Sequence, residues 1–284
     1  MIKYRRIHST WTKKEALFLS KYNIKVTEGY DSFDIEEQNL YRELKKKNFG
    51  KINSLFSQNK NIVSDTILGC EFSIDELDSA NYFVLLNFGK PKGYPLPTTG
   101  DIFGYLDVTR EKYCKHCAIY VNQPNPFRIK SEPKWAKNQV NFSLNWIFDE
   151  MFFKKEFFQE VLQPLGLKSR NVNINTSEKI AKTVVQLVIP EAKSKLLIDN
   201  TIYNTEKPCE NCGYKKYSQQ ILDFFPPFEK KFDFLICKTQ ESFGETGTQM
   251  AYRRIIISKK FCEILANHKI IKYNTFNIFP LKNK

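Results

Sequence analysis

The chain has 284 residues, of which 42% are hydrophobic and 14% aromatic, and its formal net charge at pH 7 is +13. This composition is typical of a packed globular protein and excludes an intrinsically disordered chain. No apolar run approaches the length that spans a bilayer, and no apolar segment follows the charged N-terminus, so we expect a cytoplasmic protein without a membrane partner or a secretory signal.

Two helices are predicted near the N-terminus. The first covers residues 11–22 and has Thr12 as its N-cap. The second covers residues 34–48 with Asp34 as its cap, because acidic side chains crowd its start and lysines its end, as the helix dipole prefers.

Two strands and a loop are predicted next. Runs rich in β-branched and aromatic residues predict strands over 62–72 and 81–88. Residues 89–104 are rich in proline and glycine, which is typical of a loop or of a boundary between modules. We therefore expect an N-terminal α/β region over residues 1–100.

The remaining region, residues 101–284, alternates predicted strands and helices. Helices are expected over 154–166, ending at Pro164–Gly166, and over 258–269, capped by Ser258. Strands or buried extended segments are expected at six places: the stretch from residue 105 into the first cysteine pair, 142–153, 183–190, 232–240, 253–258 and 273–281.

Two segments of this region share one plan. Residues 152–174 and 255–278 each contain an apolar run, a lysine-rich turn, a helix with the pattern F-x-E-(V/I)-L and a second strand. An ancient duplication explains the likeness, and so does chance similarity between strand–helix–strand units. We expect an α+β fold with mixed sheets and flanking helices, in which two related strand–helix–strand halves are joined by a zinc-ribbon-like four-cysteine site.

Two C-x-x-C pairs carry the strongest chemical signal. They are Cys114 with Cys117 and Cys209 with Cys212. Thiolates bind zinc strongly, and a structural site uses four tetrahedral ligands, so we expect both pairs to hold one structural Zn²⁺. A subdomain is then inserted between the pairs. Separate sites, or a site that uses His116, are the alternatives.

The other three cysteines have apolar neighbours. Cys70, Cys237 and Cys262 are expected to be buried core thiols and not ligands. An odd number of cysteines in a long chain without a signal peptide does not favour a disulfide framework.

Catalytic interpretations of the cysteine pairs lack their other parts. "PCENC" matches half of a zinc deaminase motif, but that chemistry needs an H-x-E element. His8, His116 and His268 are followed two residues later by other residue types, so we exclude a deaminase. A thiol redox centre uses one reactive pair, whereas this chain has two pairs, one of them followed by Gly213.

Other enzyme classes also lack support. Asp223, Glu229 and Lys231 resemble an acid–acid–lysine nuclease site, but Pro226–Pro227 interrupts the strand that such a site requires. No glycine-rich phosphate loop and no G-x-S-x-G element occurs in the chain. The expectation is a protein that is not an enzyme.

The positive charge has two interpretations. It attracts phosphate backbones or acidic partners, or it solvates a lysine-rich surface. The lysines are scattered and do not form one basic stripe. Trp135, Trp146 and Phe148 are candidates for the core or for a contact surface, and Asp149 and Glu150 for ion pairs or a contact surface.

The chain resembles the double-CXXCG-motif proteins of bacteria, which are associated with polymorphic toxin and contact-inhibition loci as immunity proteins. The likeness covers roughly residues 100–284. The resemblance rests on the two cysteine pairs with Gly213 and on three further segments, residues 125–135, 146–166 and 253–281.

The resemblance implies a non-catalytic, zinc-stabilised protein that binds and neutralises a cognate bacterial toxin. Charge complementarity then favours an acidic toxin. The alternative is a zinc-ribbon-like nucleic-acid-binding protein that uses its net positive charge.

Overall fold

The computed structural model describes residues 1–37, 41–42, 64–98, 104–175, 177–198, 207–217, 221, 223–244, 250–274 and 277–283. The chain divides into two compact units, Met1–Ser79 with Ile221–Asp223, and Ala80–Gln220 with Phe224–Lys284. The expected regional boundary at residue 100 falls inside the second, larger unit. The fold is α+β, with three β-sheets and few helices in the described part of the chain.

The smaller unit contains strands β1 (Ile2–Trp11), β2 (Gly29–Glu36) and β3 (Ser64–Glu71) and helices α1 (Lys13–Ser20) and α2 (Ile74–Ser79). Strand β1 lies in the centre and pairs antiparallel with both neighbours. Helix α1 begins as predicted. The Thr12 side chain accepts a hydrogen bond from the Glu15 backbone, and the Glu15 carboxylate accepts one from the Thr12 backbone N–H at 2.7 Å, which satisfies two exposed donors of the first turn.

The predicted helix over 34–48 is wrong at its start. Asp34 does not cap a helix but lies in β2, opposite Arg6 of β1, and its Oδ1 is 2.6 Å from Arg6 Nε. This cross-strand charge pair explains the acidic residues that sequence reasoning assigned to a helix start. Residues 38–40 and 43–63 of this region lie outside the described residues.

The larger unit contains the remaining elements. Its helices are α3 (Tyr105–Thr109), α4 (Lys155–Phe157), which continues as a π turn (Phe158–Leu162) and a 3-10 turn (Gln163–Leu165), and α5 (Lys259–Asn267). Its strands are β4 (Tyr82–Leu85), β5 (Arg128–Ile129), β6 (Asn141–Phe142), β7 (Phe152–Lys154), β8 (Lys168–Ile174), β9 (Ile180–Val188), β10 (Lys216–Tyr217), β11 (Ile236–Phe243), β12 (Tyr252–Ser258) and β13 (Ile278–Pro280).

Two of the predicted helices form where expected. The helical segment after β7 ends at Gly166, whose φ of 80° is the left-handed conformation that glycine adopts easily. Helix α5 begins after Ser258, whose hydroxyl accepts a hydrogen bond from the Phe261 backbone N–H at 3.2 Å.

The strand predicted to lead into the first cysteine pair is wrong at its start, because residues 105–109 form helix α3. Tyr105, Leu106 and Thr109 are buried together. That spacing matches one face of a helix and not one face of a strand.

Two sheets of five strands organise the larger unit. Their strand orders are β10-β11-β12-β4-β13 and β5-β8-β9-β7-β6. The second sheet consists entirely of residues that lie between the two cysteine pairs. Its core includes Phe142 and Phe152, whose rings stack with centroids 5.3 Å apart, and Phe127, which meets Phe152 edge to face. Burial of such aromatic surface supplies much of the stabilisation of this sheet.

The two segments with the shared F-x-E pattern have the same topology. Strands β7 and β8, joined by the α4 segment, both pair antiparallel with β9, which lies between them. Strands β12 and β13, joined by α5, both pair antiparallel with β4, which lies between them.

The loops that follow the two middle strands also match. After β4, Pro91 forms a parallel bridge with Ser143 and Leu96 an antiparallel bridge with Arg128. After β9, a parallel bridge joins Glu191 to Lys238 and an antiparallel bridge joins Leu196 to Phe228. Each loop therefore contacts the sheet that does not contain the strand before it.

Among the helices of the described ranges, none has both the length and the apolar character that crossing a membrane requires.

Candidate metal centre

The four cysteines of the two C-x-x-C pairs meet in the larger unit. Their Sγ atoms all lie within 4.8 Å of one another. The Sγ atoms of Cys114 and Cys209 are 3.8 Å apart, and those of Cys117 and Cys212 are 3.6 Å apart. Each of these contacts joins matching positions of the two motifs, first cysteine to first and second to second.

Both pairs lie in turns with the same backbone hydrogen bonds. The N–H of Ala118 donates to the Cys114 carbonyl, and the N–H of Gly213 donates to the Cys209 carbonyl, each at 2.7 Å. Ala118 and Gly213 both have left-handed backbones, with φ of 61° and 73°. Ala118 thus adopts the conformation that glycine provides in the second pair, and the absence of glycine there does not change the turn.

The surroundings of the four thiols are unequal. Burial raises the pKa of Cys117, with weaker contributions from the neighbouring thiols. Although desolvation opposes it, N–H groups of Asn211 and Cys212 stabilise the thiolate of Cys209 and lower its pKa to about 6. Cys209 is therefore prepared to act as a thiolate, which is the form that binds metal.

The geometry fits a metal ion better than a disulfide. Zn–S bonds of about 2.3 Å in a tetrahedron place the sulfur atoms about 3.8 Å apart, close to the two shortest separations. A disulfide needs sulfurs about 2.05 Å apart, and all four cysteines are free thiols. The four cysteines could therefore hold one metal ion, and a thiolate set suits a soft or borderline cation.

His116 is exposed and is not among the grouped ligands of the described chain. The three remaining cysteines, Cys70, Cys237 and Cys262, are buried, as predicted, and burial raises the pKa of each thiol. They are therefore inert core thiols.

Other residues that the sequence singled out are divided between the core and the surface. The indole N–H of Trp135 donates to the Thr183 hydroxyl, and its ring packs against Phe142. Trp146 packs against Tyr94 with ring centroids 4.3 Å apart. Phe148 is 47% exposed.

Asp149 and Glu150 belong to a buried charge network. Glu150 Oε1 lies 3.0 Å from Arg110 Nη2 and 2.6 Å from Lys238 Nζ. The Tyr120 hydroxyl donates to Asp149 at 2.5 Å. Burial alone would raise the pKa of Asp149, but Lys238 and Arg110 together hold it below its usual value.

Sequence reasoning found only half of this network. The adjacent acids inside the apolar segment "WIFDEMFF" were a signal, and their ion pairing with a lysine was one of the two expectations. Arg110 gave no signal, because nothing local marks it as a partner of these acids.

A cleft of about 670 Å³ opens beside the cysteines and includes Cys114 and Cys212 in its lining. The acids Glu191 and Glu241 belong to its lining, but basic and tyrosine side chains are more numerous: Lys112, Lys195, Lys215, Tyr113, Tyr214 and Tyr217. Tyrosine is enriched among the residues that dominate the binding energy of protein–protein interfaces.

No protein-family model, curated protein or solved structure matches this chain.

Proposed function

We propose that Cys114, Cys117, Cys209 and Cys212 bind one structural Zn²⁺ in a zinc-ribbon-like site. Four thiols grouped at tetrahedral spacing support this assignment. With four protein ligands around one ion, no coordination position is left for a substrate, and closed sites of this kind stabilise folds. The ion would join the two turns and the sheet inserted between them.

We further propose that the protein is a non-catalytic immunity protein that binds and neutralises a cognate bacterial toxin in the cytoplasm. The single observation that carries this proposal is the meeting of both C-x-x-C turns in one closed site, since these motifs carry the resemblance to the double-CXXCG-motif proteins. The cleft beside the cysteines supplies a candidate contact surface, and its lysines suit an acidic toxin.

Co-expression tests the immunity proposal. A toxin-like reading frame beside the gene is expressed with and without this protein, and growth and co-purification are measured. We expect growth to be restored and the two proteins to purify together. A Lys112→Glu, Lys215→Glu double variant should lose both effects, whereas Lys179→Glu, outside the cleft, should keep them. A toxin that still kills in the presence of the folded wild-type protein would reject the proposal.

The net charge favours a second candidate function, nucleic-acid binding. The chain carries 44 Lys and Arg residues against 31 Asp and Glu residues, and several lysines line the same cleft. Binding to DNA or RNA would weaken steeply with salt, because each neutralised phosphate releases counterions. A binding constant that does not change between low and moderate salt excludes this function.

We also propose that the larger unit arose by duplication of one module. The module consists of a β-strand, a C-x-x-C turn and a β-α-β unit. The matching sheet topologies, the matching bridges after β4 and β9 and the identical hydrogen bonds of the two turns support it. The first strands of the two modules are then β4 and β9. Strand β4 lies in the sheet that contains β12 and β13 of the second module, and β9 lies in the sheet that contains β7 and β8 of the first module. Related chains whose two modules are clearly more alike in sequence would support the duplication, and related chains in which only one module has this topology would oppose it.

A further inference from the structure

A second cavity in the larger unit, of about 240 Å³, has four basic and two acidic residues in its lining. Four basic residues line it: Arg110, Arg170, Lys238 and Arg253. They come from a loop after α3 and from strands β8, β11 and β12, so both five-stranded sheets contribute to the lining. No cysteine of the metal centre is part of this lining.

Two buried donors in this lining have no acceptor. The Arg110 side chain is only 3% exposed, and its Nε has no hydrogen-bond partner in the described chain. The buried Nε of Arg253 has none there either. Buried N–H groups in folded proteins are almost always paired, so two unpaired ones on residues that line one cavity leave hydrogen-bonding capacity that the described protein atoms do not fill.

Two carboxylates, Glu150 and Glu191, line the cavity too, and both already have cationic partners. Glu150 is shared by Arg110 and Lys238, and Glu191 pairs with Arg253. Glu150 Oε1 is close to both of its cations but has no hydrogen-bond partner of good geometry among the described residues. The protein itself therefore does not supply the acceptor for Arg110 Nε and Arg253 Nε.

Arg170 adds a further cation to the lining. Its guanidinium donates to the backbone carbonyl of Gln123 and, at 3.4 Å, to that of Asn125. Within the described ranges, no ion pair joins it to a carboxylate. Burial lowers the pKa of Arg170, the carboxylate of Glu150 opposes that shift and Arg110 adds to it, so on balance the cavity disfavours this charge. An anion in the cavity would remove that cost.

We propose that this cavity binds a small oxyanion, a phosphate or carboxylate group, through Arg110, Arg170 and Arg253. Guanidinium groups match the oxygen pairs of both anions with two parallel hydrogen bonds. The cavity volume of about 240 Å³ is below the range of about 300–1,000 Å³ that is typical of pockets for drug-sized ligands, so the cavity suits a small group. The anion is either free or carried by a larger acidic molecule. Anion binding in this cavity requires neither the zinc site nor a toxin partner.

Calorimetric titration of the purified full-length protein with inorganic phosphate, and separately with acetate, tests the proposal, with ionic strength held constant by sodium chloride. We expect one site per chain for at least one of the two anions. Arg170→Gln should weaken that affinity by about tenfold or more, because a charge-assisted hydrogen bond is lost. Lys179→Gln removes the same charge outside the cavity and should leave the affinity unchanged.

Arg253→Gln provides a second variant if Arg170→Gln fails to fold, and it should show the same loss. Competition with a capped glutamate-containing peptide identifies the source of the anion. A peptide that displaces phosphate or acetate assigns the cavity to an acidic partner, and one that does not assigns it to a free anion. Absence of binding heat for both anions, or equal binding by wild type and both folded variants, would overturn the proposal.

Discussion

The Sγ atoms of Cys117 and Cys212 lie 3.6 Å apart although the residues are 95 positions apart in the chain. This contact, with its counterpart between Cys114 and Cys209, joins the two ends of the chain segment that forms the sheet of β5 to β9. A metal ion at this point would restrain a long intervening segment, so its loss should affect folding and not only local structure.

Removal of one ligand should therefore release the metal and destabilise the protein. For Cys212→Ser we expect metal content to fall close to zero and the Tm to fall by about 10 °C or more, because a structural ion contributes several kcal/mol to folding. Elemental analysis and calorimetry measure the two effects. Cys237→Ser, at a buried thiol outside the cluster, is the control and should keep its metal. A Cys212→Ser variant with unchanged metal content contradicts the four-ligand site.

The turn of the second pair should depend on the left-handed conformation of Gly213. A Cβ at this position meets nothing within 4 Å, so Gly213→Ala tests only the backbone conformation, at φ of 73°. We expect a loss of about 1 kcal/mol in the free energy of unfolding. Gly69 also has open space around a built Cβ but has no positive φ, so Gly69→Ala should cause no comparable loss. Equal effects in urea denaturation would contradict this explanation.

The buried charge network should be sensitive to the loss of one carboxylate. Glu150→Gln removes the carboxylate that Arg110 and Lys238 share and leaves Asp149 as the nearby acid, so we expect a loss of about 2–3 kcal/mol in stability, below that of a fully unpaired buried charge. Chemical denaturation measures it. Glu178→Gln removes a carboxylate that is 82% exposed and pairs with Arg128, and it should leave the denaturation midpoint almost unchanged. A stable Glu150→Gln variant would show that the network does not depend on this charge.

The capping box of α1 should stabilise the smaller unit. Thr12→Ala removes the side-chain acceptor for the Glu15 N–H, and we expect a cost of about 1 kcal/mol. Thr12→Ser keeps the hydroxyl and should retain most of the stability. The comparison is made by urea denaturation, followed by a probe in the smaller unit such as the fluorescence of Trp11. An equal loss in both variants would mean that the methyl group of Thr12, and not its hydroxyl, matters.

The sequence predicted the metal-ligand candidates because the chemistry lies in local spacing. Two C-x-x-C motifs identify four thiols wherever the chain brings them, and the structure groups those thiols. The caps at Thr12 and Ser258 were predictable for the same reason, since their partners lie three residues away.

Features that depend on distant partners were not predictable. Strand β1 has the sequence "IKYRRIHSTW", and its cationic residues obscure the alternation of apolar and polar residues that predicts a strand. In the structure, Arg5 pairs with Glu37 and Arg6 pairs with Asp34. Those same acids suggested a helix start when considered alone. Tertiary pairing overrode local preference in both cases.

The metal content of the native protein tests the central claim most directly. The full-length protein, purified without added metal or chelator, is analysed by mass spectrometry for elements alongside a count of reactive thiols. The shared site predicts one zinc per chain, with four thiols that become reactive only after the metal is removed. Two zinc ions per chain, or a folded metal-free protein with all four thiols reactive from the start, would contradict it.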